Sequence, residues 1–253
     1  MLDTIDLEKI VAIAENAGKE IMKIYNRDFS IEYKDDKSPL TEADLKSNAI
    51  ICKALEELYP HIPILSEENK EVAYADRKDW EYYWCIDPID GTKEFIKKND
   101  EFTVNIALIH QDTPVLGVVF APALGDMYSA KKDEGAFKNS QKLPLKTNNN
   151  SEENLTIVAS KSHLTDETKE FIDNLTSNIQ HPTFISKGSS LKLCMVAEGE
   201  ADIYPRLAPT MEWDTAAADA IVRESGKMTY IFDTEDKVIY NKKNLLNPWF
   251  VVK

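Results

Sequence analysis

The chain has 253 residues, 43% of them hydrophobic and 9% aromatic, enough to bury the core of one compact body or of two closely joined halves, which excludes a disordered or fibrous chain. Thirty Lys and Arg stand against 44 Asp and Glu, and the formal net charge of −14 disfavours nucleic-acid polymers and anionic membranes, both of which need a basic surface. A small anionic ligand stays open, provided metal ions reverse the sign locally.

The first segment, MLDTIDLEKI, lacks a basic region followed by an apolar one, and no apolar run approaches about 18 residues. An unprocessed, soluble, cytoplasmic protein with no stable membrane insertion is therefore expected. Residues 6–25 carry Ile10, Ala14, Ala17, Ile21 and Ile24 at steps of three and four, the stripe of an amphipathic helix. Residues 26–40 are polar, with room for a short strand. Thr41 is placed to cap a second helix, with Asp44 at N3 in a variant of the capping box and Leu40 and Leu45 spaced for a hydrophobic staple; Pro60 stops it after about Tyr59.

IPIL (62–65) and YYWCI (82–86) read as strands. FTVNIALI (102–109) and PVLGVVFAP (114–122), joined by HQDT and followed by MYSA and GAF, read as an antiparallel meander. LPLKTNNNSEEN (143–154) is the linker candidate and divides the chain into halves 1–146 and 147–253. The second half reads as a strand (155–160), a helix (165–175), a strand near 183–186 and a helix from about 189. A strand in ADIYPR, a helix from Glu212 to Ser225 and closing strands in TYIF and NPWFVV follow. No internal repeat is visible.

The chemistry concentrates at WCIDPIDGTKEF (84–95). Asp87 and Asp90 stand three apart where an apolar strand stops, and Pro88 stiffens the turn between them. Gly91 and Thr92 then open a short helix through Phe95, whose free N–H groups suit a phosphate oxygen. Taken alone, DxxDG also fits a turn aspartate followed by an N-cap. LSEE (65–68) adds Glu67 and Glu68 at another strand end, and EWDTAAADA adds Asp214 at a helix start, where each also fits a solvated or capping residue. Carboxylates gathered at one point need cations, and an oxygen-only donor set suits Mg²⁺ rather than zinc.

Cys52, Cys85 and Cys194 are far apart in sequence, with no CxxC, and fit small apolar residues in a reducing compartment. His61, His110, His163 and His181 show no metal spacing and fit surface or loop positions. There is no GxSxG, no GxxxxGK[ST] and no strand-borne GxGxxG, which leaves metal-assisted hydrolysis.

SEE (66–68), DPIDGT (87–92) and WDTAA (213–217), in this order, resemble the three signatures of the inositol monophosphatase superfamily of Mg²⁺-dependent, lithium-sensitive phosphatases, over essentially the whole chain. Within it, DGTKEFIKKNDEFTVNIALI, GSSLK (188–192), AEGEADIYPR (197–206) and LNPWF resemble the 3′(2′),5′-bisphosphate nucleotidases of bacterial sulfate assimilation. Ala218 departs from the pattern, standing where glycine is common, and touches no ligand position.

The resemblance implies a layered αβαβα sandwich of α/β (α+β) type. Its N-terminal half is built on an antiparallel sheet and carries most metal ligands, and its C-terminal α/β half supplies Asp214 and substrate contacts. It implies two or three Mg²⁺ ions, the first on Glu67, Asp87 and the Ile89 carbonyl, the second on Asp87, Asp90 and Asp214. Asp44, Glu67 and Thr92 take catalytic roles, Thr92 relaying to Asp44; from the residues alone, Asp44 fits a mere cap partner equally well. Such a metal pair activates a water for in-line attack. Gly91, Thr92, Ser189, Lys192 and Arg206 become substrate contacts, although composition alone makes Lys192 and Arg206 solvated surface groups.

The implied reaction is hydrolysis of the 3′-phosphate of adenosine 3′,5′-bisphosphate to AMP, and of 3′-phosphoadenosine 5′-phosphosulfate to adenosine 5′-phosphosulfate. An inositol monophosphatase or broad sugar-phosphate phosphatase shares the metal site, and a non-catalytic metal- or nucleotide-binding module or a purely structural cation staple shares the acidic cluster. Monomer and homodimer are both compatible with the sequence, and the resemblance admits a peripheral association with the inner face of the cell membrane.

Overall fold

In the computed structural model, which describes residues 1–34, 39–146, 154–159, 165–177 and 179–253, the apolar stripe of the N-terminal segment forms helix α1 (Leu7–Tyr25). The Asp6 carboxylate caps it, accepting from the Glu8 N–H, and Ile10, Ala14, Ala17, Ile21 and Ile24 are buried. Two short strands, β1 (Ile31–Tyr33) and β2 (Pro39–Thr41), pair antiparallel where one strand is expected. Helix α2 (Glu42–Leu58) starts at its predicted cap: the Ala43 N–H donates to Thr41 Oγ1, and the Thr41 N–H donates to Asp44 Oδ2. Leu45 is 50% exposed, which leaves the expected staple with Leu40 little to bury, so the capping box carries this start.

Strand β3 (Ile64–Ser66) and the short helix α3 (Tyr74–Arg77) precede β4 (Tyr82–Asp90), which runs four residues past YYWCI and includes both aspartates. Helix α4 (Thr92–Ile96) follows, then the meander of β5 (Thr103–His110), β6 (Thr113–Ala121), β7 (Asp126–Lys131), β8 (Gly135–Lys138) and β9 (Gln141–Lys142). The seven strands β3 to β9 form one sheet in sequence order, antiparallel throughout except for the parallel β3–β4 pair.

Period-two alternation decides what each face meets. Trp84, Ile86, Val104, Ile106 and Leu108 pack with α1 and α2, while Tyr83, Cys85, Ala107 and Ile109 face the opposite way. On that second face a helix comes close to the sheet at one point of β6. A Cβ at Gly117 would stand 2.1 Å from the Ala217 carbonyl oxygen, so β6 needs glycine there.

The chain then builds a second, smaller layer. Strand β10 (Asn154–Ala159), helix α5 (Asp166–Thr176) and β11 (His181–Ser186) form a crossover, β10 and β11 pairing in parallel. Helix α6 (Leu191–Glu198), strand β12 (Tyr204–Arg206), helix α7 (Glu212–Glu224) and strands β13 (Thr229–Ile231) and β14 (Phe250–Val252) complete it, with sheet order β12–β14–β13. A parallel bridge between Ile157 and Ile203 joins β10 to this sheet. Val158, Phe250 and Val252 face α6 and α7, whereas Ile157 and Val251 face Ile172 of α5. The layers therefore run helix, sheet, helix, sheet, helix, the sandwich expected.

The core beneath α7 is continuous from the large sheet to the small one, since Ala216, Ala217 and Ile221 pack in the same cluster as Val119 and Val252. Ala218 is fully buried there, so its methyl is accommodated. Residues 147–153, most of the expected linker, lie outside the described residues. The three cysteines are free, two of them buried. His110 and His181 lie at strand ends rather than in loops, His110 stacked on Tyr82, and His163 is outside the described residues. Among the described residues, no helix is long and apolar enough to cross a membrane.

Candidate active site

The end of β4 is shaped by its own carboxylates. Asp87 Oδ1 accepts from the Ile89 N–H at 3.0 Å, turning the chain at Pro88, and the pairing of β4 with β5 shifts register between Asp87 and Asp90. Ser47 of α2 donates to the Pro88 carbonyl at 2.9 Å and ties the turn to the helix layer. Gly91 then adopts a φ of +92°, with Glu101 backbone oxygen 3.2 Å from where a Cβ would sit, so only glycine lets α4 start here without strain.

Three carboxylates from three elements meet at this corner. Ligand oxygens of Glu67, just after β3, of Asp87 on β4 and of Asp214 on α7 all lie within 4.8 Å of one another. Burial pushes the Asp87 carboxyl well above its usual range, with Glu67, Asp90, Asp214 and Asp44 adding to the shift. Burial and then the charge of Asp90 push Asp214 up to about 8, against a lowering by the Met211 N–H, which donates to Asp214 Oδ2 at 2.9 Å. Asp214 is thus both the helix cap and a pocket group. Glu67 is raised as well, burial outweighing the attraction of Lys34.

Asp44 makes both of the contacts expected of it, to the helix start and to Thr92. Its Oδ2 holds the Thr41 N–H and hydroxyl, while Oδ1 accepts from Thr92 Oγ1 at 3.1 Å. It is buried, and its carboxyl is raised by that burial. Thr92 also stands 3.3 Å from the Ile89 carbonyl oxygen. Asp90 does not join the trio: its Oδ2 accepts from Ser189 Oγ at 2.8 Å, Ser190 N at 2.6 Å and Ser190 Oγ at 2.7 Å, leaving Oδ1 for another partner.

Oxygen-only donors converging in a buried place without enough protein cations fit a divalent hard metal such as Mg²⁺. Among the described residues, the ammonium that reaches the cluster is that of Lys34, at 2.8 Å from Glu67 and 2.6 Å from Glu68. In EDTA, a carboxyl raised from about 4 to about 8 binds a proton on folding, so its stabilising protonation is lost as pH climbs between those values. The melting temperature of the metal-free protein is accordingly expected to fall from pH ~5 to ~8 relative to that of Asp214→Asn. Saturating Mg²⁺ should reverse the order. Scanning calorimetry of both proteins at each pH checks this, and parallel curves would remove Asp214 from the cluster.

The corner opens into a cavity of about 390 Å³ lined by residues of both halves of the chain. Lys192 and Arg206 line it, Lys192 buried where composition suggests a solvated group and Arg206 half-buried. Lys192 is 6% exposed, its Nζ donating to the Ser189 carbonyl at 2.6 Å and lying 5.6 Å from the centre of the Tyr204 ring. Arg206 Nη2 donates to the Pro209 carbonyl, and its buried Nε has no hydrogen-bond partner among the described residues. Gly91 and Ser189 line the same cavity, though the Ser189 hydroxyl is committed to Asp90 and Thr103.

Lys34, Glu94, Ser190 and Tyr204 escape sequence reasoning. Lys34 sits in the charged run YKDDK, where nothing marks one lysine from the next; Ser190 and Glu94 lie inside quoted segments, and only three-dimensional contact distinguishes them.

The chain matches the inositol monophosphatase family over residues 4–249. It is 44% identical over 260 residues to the 3′(2′),5′-bisphosphate nucleotidase CysQ of Salmonella typhimurium (strain LT2), an alignment covering 97% of this chain and 98% of the relative. The namesake from Escherichia coli (strain K12) is 40% identical over 258 residues, with the same coverage. The crystal structure of CysQ from Bacteroides thetaiotaomicron, described as a bacterial member of the inositol monophosphatase family, superposes with a TM-score of 0.88 at 42% identity, covering 98% of this chain and 96% of that one.

Proposed function

The chain belongs to the inositol monophosphatase family, and from that premise we propose that it is a Mg²⁺-dependent phosphoric monoester hydrolase acting on a nucleotide bisphosphate. Its reaction is removal of the 3′-phosphate of adenosine 3′,5′-bisphosphate to give AMP and phosphate, and likewise of 3′-phosphoadenosine 5′-phosphosulfate to give adenosine 5′-phosphosulfate. The observation that carries the substrate is the pairing, in the lining of one cavity, of the carboxylate trio with Lys192 and Arg206. A phosphate monoester held at the carboxylates through cations needs no second cationic wall; a substrate with a second anionic group does.

Glu67, Asp87, Asp214, the open oxygen of Asp90 and the Ile89 carbonyl would hold two Mg²⁺ ions. Bound there, Mg²⁺ supplies Lewis-acid polarisation and charge neutralisation at the reacting phosphate. Thr92 Oγ1, donating to Asp44 Oδ1, is left with lone pairs that accept a proton from a water approaching phosphorus. Its own proton then moves to Asp44, whose burial has raised its basicity. The Gly91 and Thr92 N–H groups orient the phosphate, and Lys192 and Arg206 take the 5′ group.

Phosphate release from adenosine 3′,5′-bisphosphate beside inositol 1-phosphate, each with Mg²⁺, Mg²⁺ plus Li⁺, and EDTA, tests the reading. The nucleotide is expected to be the faster substrate, with activity abolished by EDTA and inhibited by Li⁺. Preference for the inositol ester would keep the metal site and overturn the substrate. Cation-dependent melting without phosphate release from either would leave only a structural staple.

A further inference from the structure

Ser190 stands at the N-cap of α6, where a serine hydroxyl ordinarily accepts from the helix N–H groups, yet no side-chain capping bond is made there. The hydroxyl turns the other way. Its oxygen lies 2.7 Å from Asp90 Oδ2 and 2.7 Å from the Asp214 carbonyl oxygen, and it accepts from Asn105 Nδ2 at 2.8 Å. Its own N–H reaches the same Asp90 oxygen at 2.6 Å. The residue before it, Ser189, is held at a φ of +54°, a left-handed conformation that a serine adopts at a cost. That strain brings the hydroxyl of Ser189 and the N–H of Ser190 onto one carboxylate oxygen together.

We infer that Ser190 is a positioning residue for the metal site, locking Asp90 so that Oδ1 alone faces the cations; the inference rests on the Mg²⁺ reading of the carboxylate cluster. The groups around Oδ2 are two hydroxyls and one N–H, none of them charged, and the single Ser190 hydroxyl proton has two acceptors at equal distance, Asp90 Oδ2 and the Asp214 carbonyl, so it holds both to one point. Lys34, by contrast, neutralises part of Glu67 and Glu68. Asn105, opposite Asp87 in the β4–β5 register, and the Asp214 carbonyl fix Ser190 in turn. The same hydroxyl thereby links the end of β4, the β5 strand and the first turn of α7. Outer groups that orient ligands in this way typically set metal affinity by 10- to 100-fold.

The test is Mg²⁺ titration of substrate-free protein, by calorimetry and by the rise in melting temperature, for wild type, Ser190→Ala, Asp90→Asn and the double variant. Ser190→Ala is expected to move the Mg²⁺ midpoint upward about 10- to 100-fold. In the Asp90→Asn background it should add little, because the group it acts through is gone. A purely structural serine would instead lower the melting temperature equally in EDTA and in Mg²⁺ and leave the midpoint in place, and that result overturns the inference. So does an undiminished effect in the Asp90→Asn background. Should the alanine variant misfold, Ser190→Cys, of similar volume but with a weaker donor, reads the same midpoint. A wild-type protein that binds Mg²⁺ with the predicted Ser190 effect, yet releases no phosphate from the nucleotide, sinks the proposed substrate and leaves this inference standing; one that binds no Mg²⁺ sinks both.

Discussion

Asp87→Asn is expected to lower turnover of the bisphosphate by roughly a thousandfold or more and to leave the protein folded. Loss of a single preorganised electrostatic group from a reacting site costs 10²–10³ by itself, and Asp87 is the buried member of the Glu67, Asp87 and Asp214 trio. The fold survives because the substitution is isosteric and its amide oxygen can still accept from the Ile89 N–H, the bond that makes the turn. The melting temperature should separate the two roles. Asp87 is buried among Glu67, Asp90, Asp214 and Asp44, which together push its carboxyl well above the usual range, so ionising it without metal is unfavourable. In EDTA at alkaline pH the variant should therefore melt higher than wild type, and in saturating Mg²⁺ lower. Near-normal turnover by Asp87→Asn would overturn the assignment of this corner as the metal site, whatever the melting curves show.

The elements that bring that corner together were legible because they are strongly patterned: the alternation of YYWCI, the α1 stripe and the Thr41 cap give strands and helices their places. That Glu67, Asp87 and Asp214 meet was implied only by the family resemblance, since each carboxylate on its own fits a turn, solvated or capping residue. The choice between capping and chemistry for Asp44 and Asp214 could not be made from spacing, and the structure explains why: each carboxylate caps its helix and also meets the site, Asp44 through Thr92 and Asp214 in the carboxylate trio. Lys192 was illegible for a different reason. Its helix, α6, buries all but one of its eight residues, so the lysine occupies a core position that no periodicity reserves for a charge. The Leu40–Leu45 staple failed because spacing alone says which residues can meet, whereas burial depends on what covers them.

Lys192→Met is expected to raise KM for adenosine 3′,5′-bisphosphate about 10- to 100-fold, the range of a charge-assisted hydrogen bond, with a smaller change in kcat. The ammonium is almost sealed from water, and burial lowers its pKa to about 8 against the pull of Asp90, Glu94 and Glu101. It is charged below that value and neutral above it. In wild type, kcat/KM for the bisphosphate should therefore decline as pH rises through about 8, and the methionine variant, having no group to titrate there, should lose that limb. Arg206→Ala should weaken the same substrate while keeping the limb and moving it to higher pH, since the Arg206 charge helps hold the Lys192 pKa down and the guanidinium itself does not titrate there. Its unpaired buried Nε, among the described residues, makes it the donor with most to gain from an incoming anion. The control is adenosine 3′-monophosphate, which keeps the reacting ester and lacks the second phosphate. If the two cations face that second group, both variants should penalise the bisphosphate far more than the monophosphate. Equal losses on the two nucleotides would place Lys192 and Arg206 at the reacting phosphate instead, and the cavity wall would no longer explain a preference for bisphosphates.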